Sequence, residues 1–366
     1  MFIVRKPRSV PILSTIDLAS IPSRSSIQPS AEQDRRSNSH PGGDSFREDT
    51  TPGQAREFMK ALRYHEYGGP EVLKIEDAPV PEPSEGQIQV KVSGSGVNPV
   101  DWKLREGNLK AYFPVQFPAT SGREFSGTVS KLGPGVTEFS IGDEVYGLGS
   151  TGTCAEYGLA SVDATALKPV SMDLPDAAAV PLAGLTAWQA IFDLADLKAG
   201  QRILVQAAAG GVGTFAVQFA KWKGAYVIGT ASTKNHHLLH ELGVDEVIDY
   251  RKTDYSEVLK DIDVVLEAAG GEENMRKSLS VLKKGGILVS ITTQEPTEEA
   301  LAQGKRADYL FMKPNTGQLR QIANLIQDLQ VRPVISSVVP FQEAVDAQKE
   351  SQTGHVVGKL VIDVTR

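Results

Sequence analysis

The sequence has little of three things: cysteine, basic charge and long apolar runs. Its single cysteine, Cys154, excludes an intramolecular disulfide and fits a reducing compartment, so the predicted localisation is cytoplasmic. The net charge of −7 argues against nucleic acid as the main partner, because phosphate binding requires a basic face. No apolar run approaches the roughly 20 residues that cross a bilayer, so no membrane span is predicted.

Residues 1–58 differ in composition from the rest of the chain. They are rich in Ser, Pro, Arg and Gln, with few aromatics and no sustained periodicity, which predicts a disordered extension. The first residues are basic, as in a mitochondrial presequence, but Pro7, Pro11 and Pro22 interrupt any amphipathic helix. An untargeted extension or a little-used upstream start is favoured, with Met59 as a natural beginning, and mitochondrial targeting is the alternative.

The motif that organises the rest of the chain lies in residues 202–234. An apolar run at 203–207 predicts a buried strand, the turn A-A-G-G-V-G follows, and apolar residues take helical spacing from Thr214 onward. A second apolar run at 225–228 completes the βαβ unit of dinucleotide-binding proteins. The alternative is an ordinary tight turn in a parallel sheet. The turn residues predicted to hold a diphosphate are Ala209, Gly210, Gly211, Val212 and Gly213.

Each glycine of this turn has a predicted physical task. Gly210 allows a sharp change of direction, Gly211 lets the backbone approach a diphosphate, and Gly213 lets the helix pack close to the strand. The unpaired N–H groups at the start of the helix then point at the phosphates.

The residues after the second strand indicate which dinucleotide binds. An NAD site usually carries Asp or Glu there to bond the ribose hydroxyls, whereas residues 229–235 contain no carboxylate. The hydroxyl of Ser232 and the ammonium of Lys234 suit a 2′-phosphate, so the pattern favours NADPH over NADH. The same residues suit a polar loop that caps the next helix, with Ser232 or Thr233 as N-cap, and the two interpretations are compatible.

Two fold patterns follow one another along the chain. Residues 60–159 hold short strands separated by Gly- and Pro-rich turns, which predicts a compact β barrel or sandwich. A helix predicted over 183–194 leads into residues 203–291, where strands alternate with helices as in a doubly wound parallel sheet. The final predicted strand, 359–364, fits the β-rich region better than the parallel sheet. Both ends of the chain are therefore expected to build the β-rich region.

Several ordered motifs resemble those of one family. They are KALRYHEYGGPEVL, VNPVDWKLREG, FPATSGREFSGTV, AEYGL, PLAGLTAW, the AAAGGVG turn and GKLVI. The sequence resembles the zinc-free quinone oxidoreductases, the ζ-crystallin-like branch of the medium-chain dehydrogenases/reductases. The resemblance implies an α/β fold with a GroES-like β-rich catalytic domain (59–182 and 316–366), a Rossmann NADPH-binding domain (183–315), an active site in the cleft between them, and a homodimer or homotetramer.

The chain departs from the zinc-dependent members of this family in its potential metal ligands. Those members bind catalytic zinc through Cys and His and often hold a structural zinc with four Cys, which one cysteine cannot provide. His236 and His240 are spaced i and i+4, but they are predicted on an exposed helix, and the histidines fall in no zinc motif. No metal site is therefore predicted, and Cys154 is expected to be a small residue in a turn rather than a nucleophile.

The predicted chemistry follows from the predicted cofactor. Without zinc no Lewis acid would stabilise an alkoxide, which argues against alcohol oxidation. The expected reaction is hydride transfer from NADPH to an electron-poor small molecule, either a quinone or an α,β-unsaturated carbonyl compound, with hydrogen bonds to the developing oxygen. The alternatives are an enoyl-thioester reductase and a non-catalytic NADPH-binding protein with a structural or regulatory role.

The resemblance also assigns candidate site residues. In this family an Asn-x-x-Asp turn lies beside the nicotinamide, and it matches Asn98, a predicted orienting or oxygen-binding donor, and Asp101, a predicted local anchor. The alternative for this pair is an Asx-type turn after a strand. Lys103 and Arg105 are predicted to face the acceptor. The further predicted cofactor residues are Thr186 at a helix start, Tyr250 at the adenosine phosphate, Gly270 at the sheet edge, and Phe311 and Asn315 over the nicotinamide.

Overall fold

The structure is a computed structural model that describes residues 57–292 and 297–366. The described residues belong to one compact unit. The extension predicted over 1–58 lies outside the described residues except for its last two positions. The first strand begins at Phe58, one residue before Met59.

Short antiparallel strands build the first part of the described chain, as predicted. They are β1 (Phe58–Tyr64), β2 (Lys74–Pro79), β3 (Gln87–Val97), β4 (Ala119–Thr120), β5 (Glu124–Leu132), β6 (Glu144–Gly149) and β7 (Tyr157–Leu167). Strands β2, β1 and β4 form a small sheet. Strand β3 pairs with both β5 and β7, and β6 pairs with β5 and β7, so these four strands close on themselves. Closure removes exposed strand edges, and the predicted compact barrel is confirmed.

Six parallel strands form the second large sheet, in the order β10-β9-β8-β11-β12-β13. They are β8 (Arg202–Val205), β9 (Tyr226–Thr230), β10 (Glu246–Ile248), β11 (Ile262–Glu267), β12 (Leu282–Ser290) and β13 (Arg306–Tyr309). The strand order changes direction between β8 and β11, which is the switch point where sheets of this type bind ligands. The predicted doubly wound parallel sheet is confirmed, although β13 was not foreseen.

Nine α-helices occur in the described residues. They are α1 (Pro99–Arg105), α2 (Pro181–Trp188), α3 (Gly211–Trp222), α4 (His236–Glu241), α5 (Tyr255–Val258), α6 (Glu272–Val281), α7 (Thr297–Ala302), α8 (Thr316–Gln327) and α9 (Ala344–Gln352). Helix α3 crosses from β8 to β9 and buries Phe215 and Phe219, which are four residues apart and therefore share one helix face. The edge of the Trp188 ring meets Phe219 at 5.4 Å between ring centroids, so α2 packs on this face.

The last strands return to the barrel. Strand β14 (Ile335–Pro340) pairs with β15 (Lys359–Asp363), and β15 pairs antiparallel with β3, with Leu360 opposite Val97. The prediction that the final strand joins the β-rich region is confirmed. Residues near both ends of the described chain therefore meet beside the start of α1.

The helix predicted over 183–194 consists of two parts. Helix α2 ends at Trp188, and residues Gln189–Leu194 continue as a π-helix. The side-chain amide of Gln189 donates to the Lys313 carbonyl at 2.7 Å and so fastens this turn to the chain before α8.

The prediction that no apolar run approaches membrane-crossing length is wrong for one segment. Asp176–Leu194 has 19 residues and a mean hydropathy of 1.3, enough to span a membrane by length and composition alone. However, 78% of its apolar 18-residue window is buried inside the protein, as expected for a core helix. It includes the fully buried Leu185 and Ile191, which belong to the core that α3 and the parallel sheet share.

Candidate active site

The glycine turn lies between β8 and α3, at the switch point of the parallel sheet. A Cβ atom on Gly213 would lie 2.3 Å from the Ala207 carbonyl oxygen, so the close packing predicted for Gly213 is confirmed. Gly210 differs from its prediction, because its φ of −80° is open to any residue. The left-handed residue of the turn is Ala207, with φ of 46°. The sharp turn is therefore made at Ala207 rather than at Gly210.

The chain just before β15 lies against this turn. The N–H of Gly358 donates to the Ala209 carbonyl at 2.8 Å, and Gly358 forms a parallel bridge with Gly210. A Cβ atom on Gly211 would lie 2.8 Å from Cδ of Lys359. The close neighbour of Gly211 in the structure is thus the Lys359 side chain. The predicted approach of Gly211 and Val212 to a diphosphate stays a prediction.

The Lys359 side chain continues into a buried polar network. Its ammonium group donates to the Glu124 carboxylate at 2.7 Å and to the Val97 carbonyl at 3.0 Å. It also donates to Oδ1 of Asn98 at 2.5 Å, and the Asn98 amide donates to Glu124 Oε1 at 2.7 Å. These side chains of Asn98, Glu124 and Lys359, which we term the inner network, are at most 4% exposed.

Glu124, at the start of β5, joins the inner network to α2. Its second carboxylate oxygen accepts the N–H of Leu182 at 2.7 Å, in the first turn of α2. That N–H has no partner within the helix, and the positive end of the helix favours a carboxylate. A Cβ atom on Gly96 would lie 2.3 Å from Glu124 Oε1, so Gly96 provides the space for this carboxylate.

The sequence-based analysis missed Glu124 and Lys359. Each is the first residue of its strand, Glu124 of β5 and Lys359 of β15, and is followed by a buried apolar residue. Because a buried charge rarely lacks a partner, an acid at one such strand start and a base at another are the signal that could have found the pair.

The inner network corrects one predicted role of Asn98. The amide nitrogen donates to Glu124 and makes a long contact of 3.4 Å with the Gly96 carbonyl, while the amide oxygen accepts from Lys359. The side chain is therefore turned inward, and only 2% of Asn98 is exposed. This geometry does not support direct donation from Asn98 to a substrate oxygen, and its orienting role stays a prediction.

Asp101 anchors the start of α1. Its Oδ2 accepts the N–H of Asn98 at 2.8 Å, an arrangement that caps a helix start. Its Oδ1 is buried and has no hydrogen-bond partner among the described residues. Burial raises the pKa of Asp101 to about 7, although the Asn98 N–H and the Lys359 charge act in the opposite direction. The carboxyl group is therefore partly protonated near neutral pH.

The two basic residues of α1 differ in their surroundings. Lys103 is half-buried, and its ammonium lies 5.6 Å from the centroid of the Trp102 ring. Its contact with an acceptor stays a prediction. The prediction for Arg105 is wrong, because this side chain is fully buried and bonds Gln348 of α9 at 2.6 Å. Arg105 fastens α1 to α9 instead of facing a ligand.

Ser232 and Lys234 follow β9, at the outer end of the predicted cofactor groove. Ser232 is buried and Lys234 is exposed. Ser232 precedes the 3-10 turn Thr233–Asn235, but its side chain makes no capping hydrogen bond. The capping alternative is therefore not supported for the Ser232 hydroxyl. The contact of both residues with a 2′-phosphate stays a prediction.

A carboxylate that the sequence-based analysis missed orders this outer loop. Asp249 follows β10 and accepts the N–H groups of Thr233 at 3.1 Å and of Arg251 at 3.0 Å, as well as the Thr233 hydroxyl. The Thr233 hydroxyl contributes most to lowering the pKa of Asp249. The ammonium of Lys252 donates to the Thr233 hydroxyl at 3.0 Å, which brings a second lysine to this loop.

Tyr250 and Thr186 were also predicted to contact the cofactor. Tyr250 is 52% exposed, and the Arg251 guanidinium lies 5.7 Å from its ring centroid, so this aromatic rim is open to a ligand. The Thr186 hydroxyl donates to the Leu182 carbonyl one turn earlier in α2, at 2.7 Å. This internal bond occupies the Thr186 proton, and both cofactor contacts stay predictions.

The loop after β11 contains Gly270. Gly270 and Gly271 have φ of 78° and 92°, conformations that favour glycine. The buried carboxylate of Glu267 accepts the N–H groups of Ala269, at 2.9 Å, and of Gly270. The loop is thus held by the end of β11, and its contact with a cofactor stays a prediction.

Phe311 and Asn315 lie between β13 and α8. Phe311 is 57% exposed and stacks on Phe113, with ring centroids 5.6 Å apart and planes 12° from parallel. Asn315 caps α8, because its Oδ1 accepts the N–H of Gln318 at 3.0 Å. The Phe113–Phe311 pair joins the loop after α1 to the chain after β13, while the contacts of Phe311 and Asn315 with the nicotinamide stay predictions.

The described residues do not fit a zinc site. No group of three or more His, Cys, Asp or Glu side chains suitable for a metal occurs in residues 57–292 and 297–366. Cys154 is 1% exposed, and burial raises the pKa of its thiol, which disfavours the thiolate that zinc binds. The part of the chain that the structure describes therefore offers zinc no set of ligands.

Two family models match this chain. Residues 84–171 match the alcohol dehydrogenase GroES-like domain, and residues 242–362 match the zinc-binding dehydrogenase family. Together with the glycine turn, they define a protein with a GroES-like β-rich region and a Rossmann-like parallel sheet, the architecture of the medium-chain dehydrogenases/reductases.

Comparison with individual proteins identifies the family within this class. The chain is 34% identical over 335 residues to the chloroplast envelope quinone oxidoreductase homolog of Arabidopsis thaliana, covering 84% of this chain and 99% of that protein. It is 34% identical to the NADPH-dependent alkenal/one oxidoreductase, chloroplastic, of the same plant, covering 83% and 79%. The solved quinone oxidoreductase of Coxiella burnetii has a TM-score of 0.78 at 37% identity, covering 84% and 99%. This chain belongs to the quinone oxidoreductase family of the medium-chain dehydrogenases/reductases.

Proposed function

We propose that this protein is an NADPH-dependent reductase that transfers hydride to quinones or α,β-unsaturated carbonyl compounds. The observation that carries the proposal is that the glycine turn lies at the switch point and is joined, through Gly358 and Lys359, to the start of α1. The relatives named quinone oxidoreductase and alkenal/one oxidoreductase support this acceptor class.

The surroundings of the glycine turn fit a phosphorylated dinucleotide. The first turn of α3 offers backbone N–H groups to a diphosphate. At the outer end Lys234 and Lys252 supply positive charge for a 2′-phosphate, while the Asp249 carboxylate is already bonded by its own loop. We therefore propose NADPH as the cofactor, a choice that the relative named as NADPH-dependent supports.

When bound, NADPH supplies the hydride, and the chain supplies position and surroundings. The inner network fixes the backbone at the start of α1, and Lys103 offers a cation for the acceptor oxygen. The stacked rings of Phe113 and Phe311 present an apolar surface to a flat acceptor. Reduction is proposed to proceed without zinc, because the described side chains provide no matching ligand set.

The proposal is tested by acceptor profiling with the purified full chain. NADPH absorbance is followed with a panel of quinones, enals, enones and enoyl thioesters, and each reaction is repeated with NADH. Turnover of quinones or enones with NADPH is the expected result. Saturable NADPH binding without turnover would identify the non-catalytic alternative, and turnover of the thioesters alone would identify an enoyl-thioester reductase.

Assembly and compartment are part of the same proposal. We propose a homodimer or homotetramer that acts on a small-molecule acceptor, to be measured by analytical ultracentrifugation. The predicted compartment is the cytoplasm, with the mitochondrion as the alternative. Because the names of two relatives place them in chloroplasts, imaging of the tagged full-length chain should compare all three compartments.

A further inference from the structure

We infer that Glu124 and Lys359 are positioning residues that couple the glycine turn to the start of α1 around Asn98 and Asp101. Through these two residues, binding of NADPH at the glycine turn also fixes the position of the start of α1 beside the acceptor. The inference rests on the proposed function, because it takes the glycine turn as the NADPH site.

The first link is the contact of residues 358–359 with the turn. The Gly358 N–H holds the Ala209 carbonyl at 2.8 Å, and the Lys359 side chain packs where a Gly211 Cβ would be. Backbone and side chain of two successive residues thus contact the turn. A diphosphate bound on the opposite side of Gly211 would hold the turn against residues 358–359.

The second link is the ammonium of Lys359. It donates to the Val97 carbonyl, the Asn98 side chain and the Glu124 carboxylate, which accounts for its three protons. Two of these partners, Val97 and Asn98, directly precede α1. The Asp101 carboxylate then holds the Asn98 N–H at 2.8 Å, so the fixed backbone at Asn98 sets where α1 begins.

The third link is Glu124, which ties the network to two further elements. Its Oε1 accepts from Asn98 and Lys359, and its Oε2 accepts from the Leu182 N–H at 2.7 Å. The carboxylate packs closely on Gly96, since a Cβ there would lie 2.3 Å from Oε1. A closely packed network in which every polar group is bonded has one low-energy arrangement. A shift of the glycine turn should therefore also displace the start of α1.

The surrounding charges make the network sensitive to the loss of one partner. The charged groups nearby are Lys359 from β15, Asp101 from α1 and Arg123 beside Glu124 in the sequence. Helix α2 contributes the N–H of Leu182 to the Glu124 carboxylate, and from β3 Gly96 packs against that carboxylate while the Ser95 hydroxyl donates to the Glu124 carbonyl. Without Lys359 the Glu124 carboxylate would lose its ion-pair partner and keep a buried charge near a second acid, Asp101, which favours a displaced side chain.

The coupling is tested by NADPH titration of Lys359→Met, Glu124→Gln and the double variant at neutral pH, monitored by nicotinamide fluorescence. Lys349→Met, which removes an exposed lysine paired with Asp346, is the matched control. We expect Lys359→Met to weaken NADPH binding about tenfold at neutral pH, within the usual range of site-to-site coupling. The double variant lacks both coupling side chains and should also bind NADPH about tenfold more weakly than wild type.

A second measurement separates coupling from a purely structural role. Hydrogen exchange is followed over residues 98–105 with and without NADPH, at a temperature where all variants are folded. NADPH should slow exchange in this segment in the wild-type protein and in Lys349→Met but not in Lys359→Met. Equal protection and equal NADPH affinity in folded Lys359→Met would overturn the inference.

Two further outcomes are distinguished by the same design. If Lys359→Met does not fold, the double variant carries the test, and NADPH affinity and protection equal to those of wild type in that variant would contradict the coupling. If the wild-type protein binds NADPH but reduces no acceptor, the proposed enzymatic function fails while the coupling is still measured by affinity and exchange. A wild-type protein that does not bind NADPH would overturn both.

Discussion

The two ends of the proposed cofactor groove use charge in opposite ways. At the inner end, Glu124 and Lys359 are buried and every polar atom of the pair is bonded within the protein. At the outer end, Lys234 is exposed and Lys252 is 70% exposed, on a loop that Asp249 holds in place. Buried charge at the inner end therefore fixes geometry, whereas exposed charge at the outer end remains available to a ligand.

The two ends of the groove also differ in the free-energy cost of removing a charged side chain. Removing one partner of a buried ion pair leaves an uncompensated charge in a medium of low dielectric constant, whereas an exposed charge is solvated and screened by salt. Substitution at the inner end should thus change protein stability, and substitution at the outer end should change cofactor selectivity.

The largest expected effect is on the free energy of unfolding of Glu124→Gln. The substitution leaves the buried Lys359 ammonium without a counter-charge, which should cost about 3–5 kcal/mol in urea unfolding. Glu82→Gln, which removes the exposed partner of Lys131, is the matched control and should change stability far less. Equal losses in the two variants would contradict the contrast between buried and exposed pairs.

The second prediction concerns the pH dependence of stability at Asp101. Its pKa is about 7 in the folded protein and about 4 when unfolded, so its contribution is fully present below pH 4. As pH rises from about 4 to 7, the unfolded chain loses this proton first, and the free energy of unfolding falls. Asp101→Asn keeps an acceptor for the Asn98 N–H and should flatten this decline. An unchanged pH profile in thermal unfolding would show that Asp101 is ionised throughout.

The third prediction concerns selectivity at the outer end. Lys234→Glu should raise the Kd for NADPH about tenfold, because it places a negative charge beside the 2′-phosphate, while the Kd for NADH changes little. Isothermal titration with both cofactors measures the ratio. A parallel loss for NADPH and NADH would place Lys234 away from the 2′-phosphate.

The smallest effect is expected for Lys252→Ala. This residue bonds the Thr233 hydroxyl, but its exposed ammonium is screened, so NADPH affinity should fall only about twofold to threefold at low salt. The difference from wild type should shrink as salt is added, and thermal stability should stay the same. A loss of affinity that persists at high salt would indicate a desolvated contact and would remove the proposed contrast with the inner end.

Local patterns were readable from the sequence, and long-range pairings were not. The glycine turn and the alternation of strands and helices follow from short-range periodicity and glycine packing. Glu124 and Lys359 are 235 residues apart, and no periodic pattern connects them. Arg105 was misassigned for the same reason, because its partner Gln348 lies 243 residues away.

The outer end shows a second limit of sequence-based prediction. Inspection of residues 229–235 found no carboxylate, but the fold brings Asp249 from the end of β10 to Thr233, because adjacent parallel strands end at the same edge of a sheet. Likewise, the direction of the Asn98 amide depends on Glu124 and Lys359, which come from distant segments. Residue type and approximate location were predictable, whereas the partner of each polar atom required the tertiary structure.

The central claim is that this chain passes hydride from NADPH directly to an electron-poor acceptor. The most direct measurement uses NADPH carrying deuterium on the transferred position of the nicotinamide, with an enone identified by acceptor profiling, and locates the label in the product by mass spectrometry and NMR. The account predicts one deuterium at the β-carbon for each NADPH consumed. Consumption of NADPH without label in the product, or binding without consumption, would contradict it.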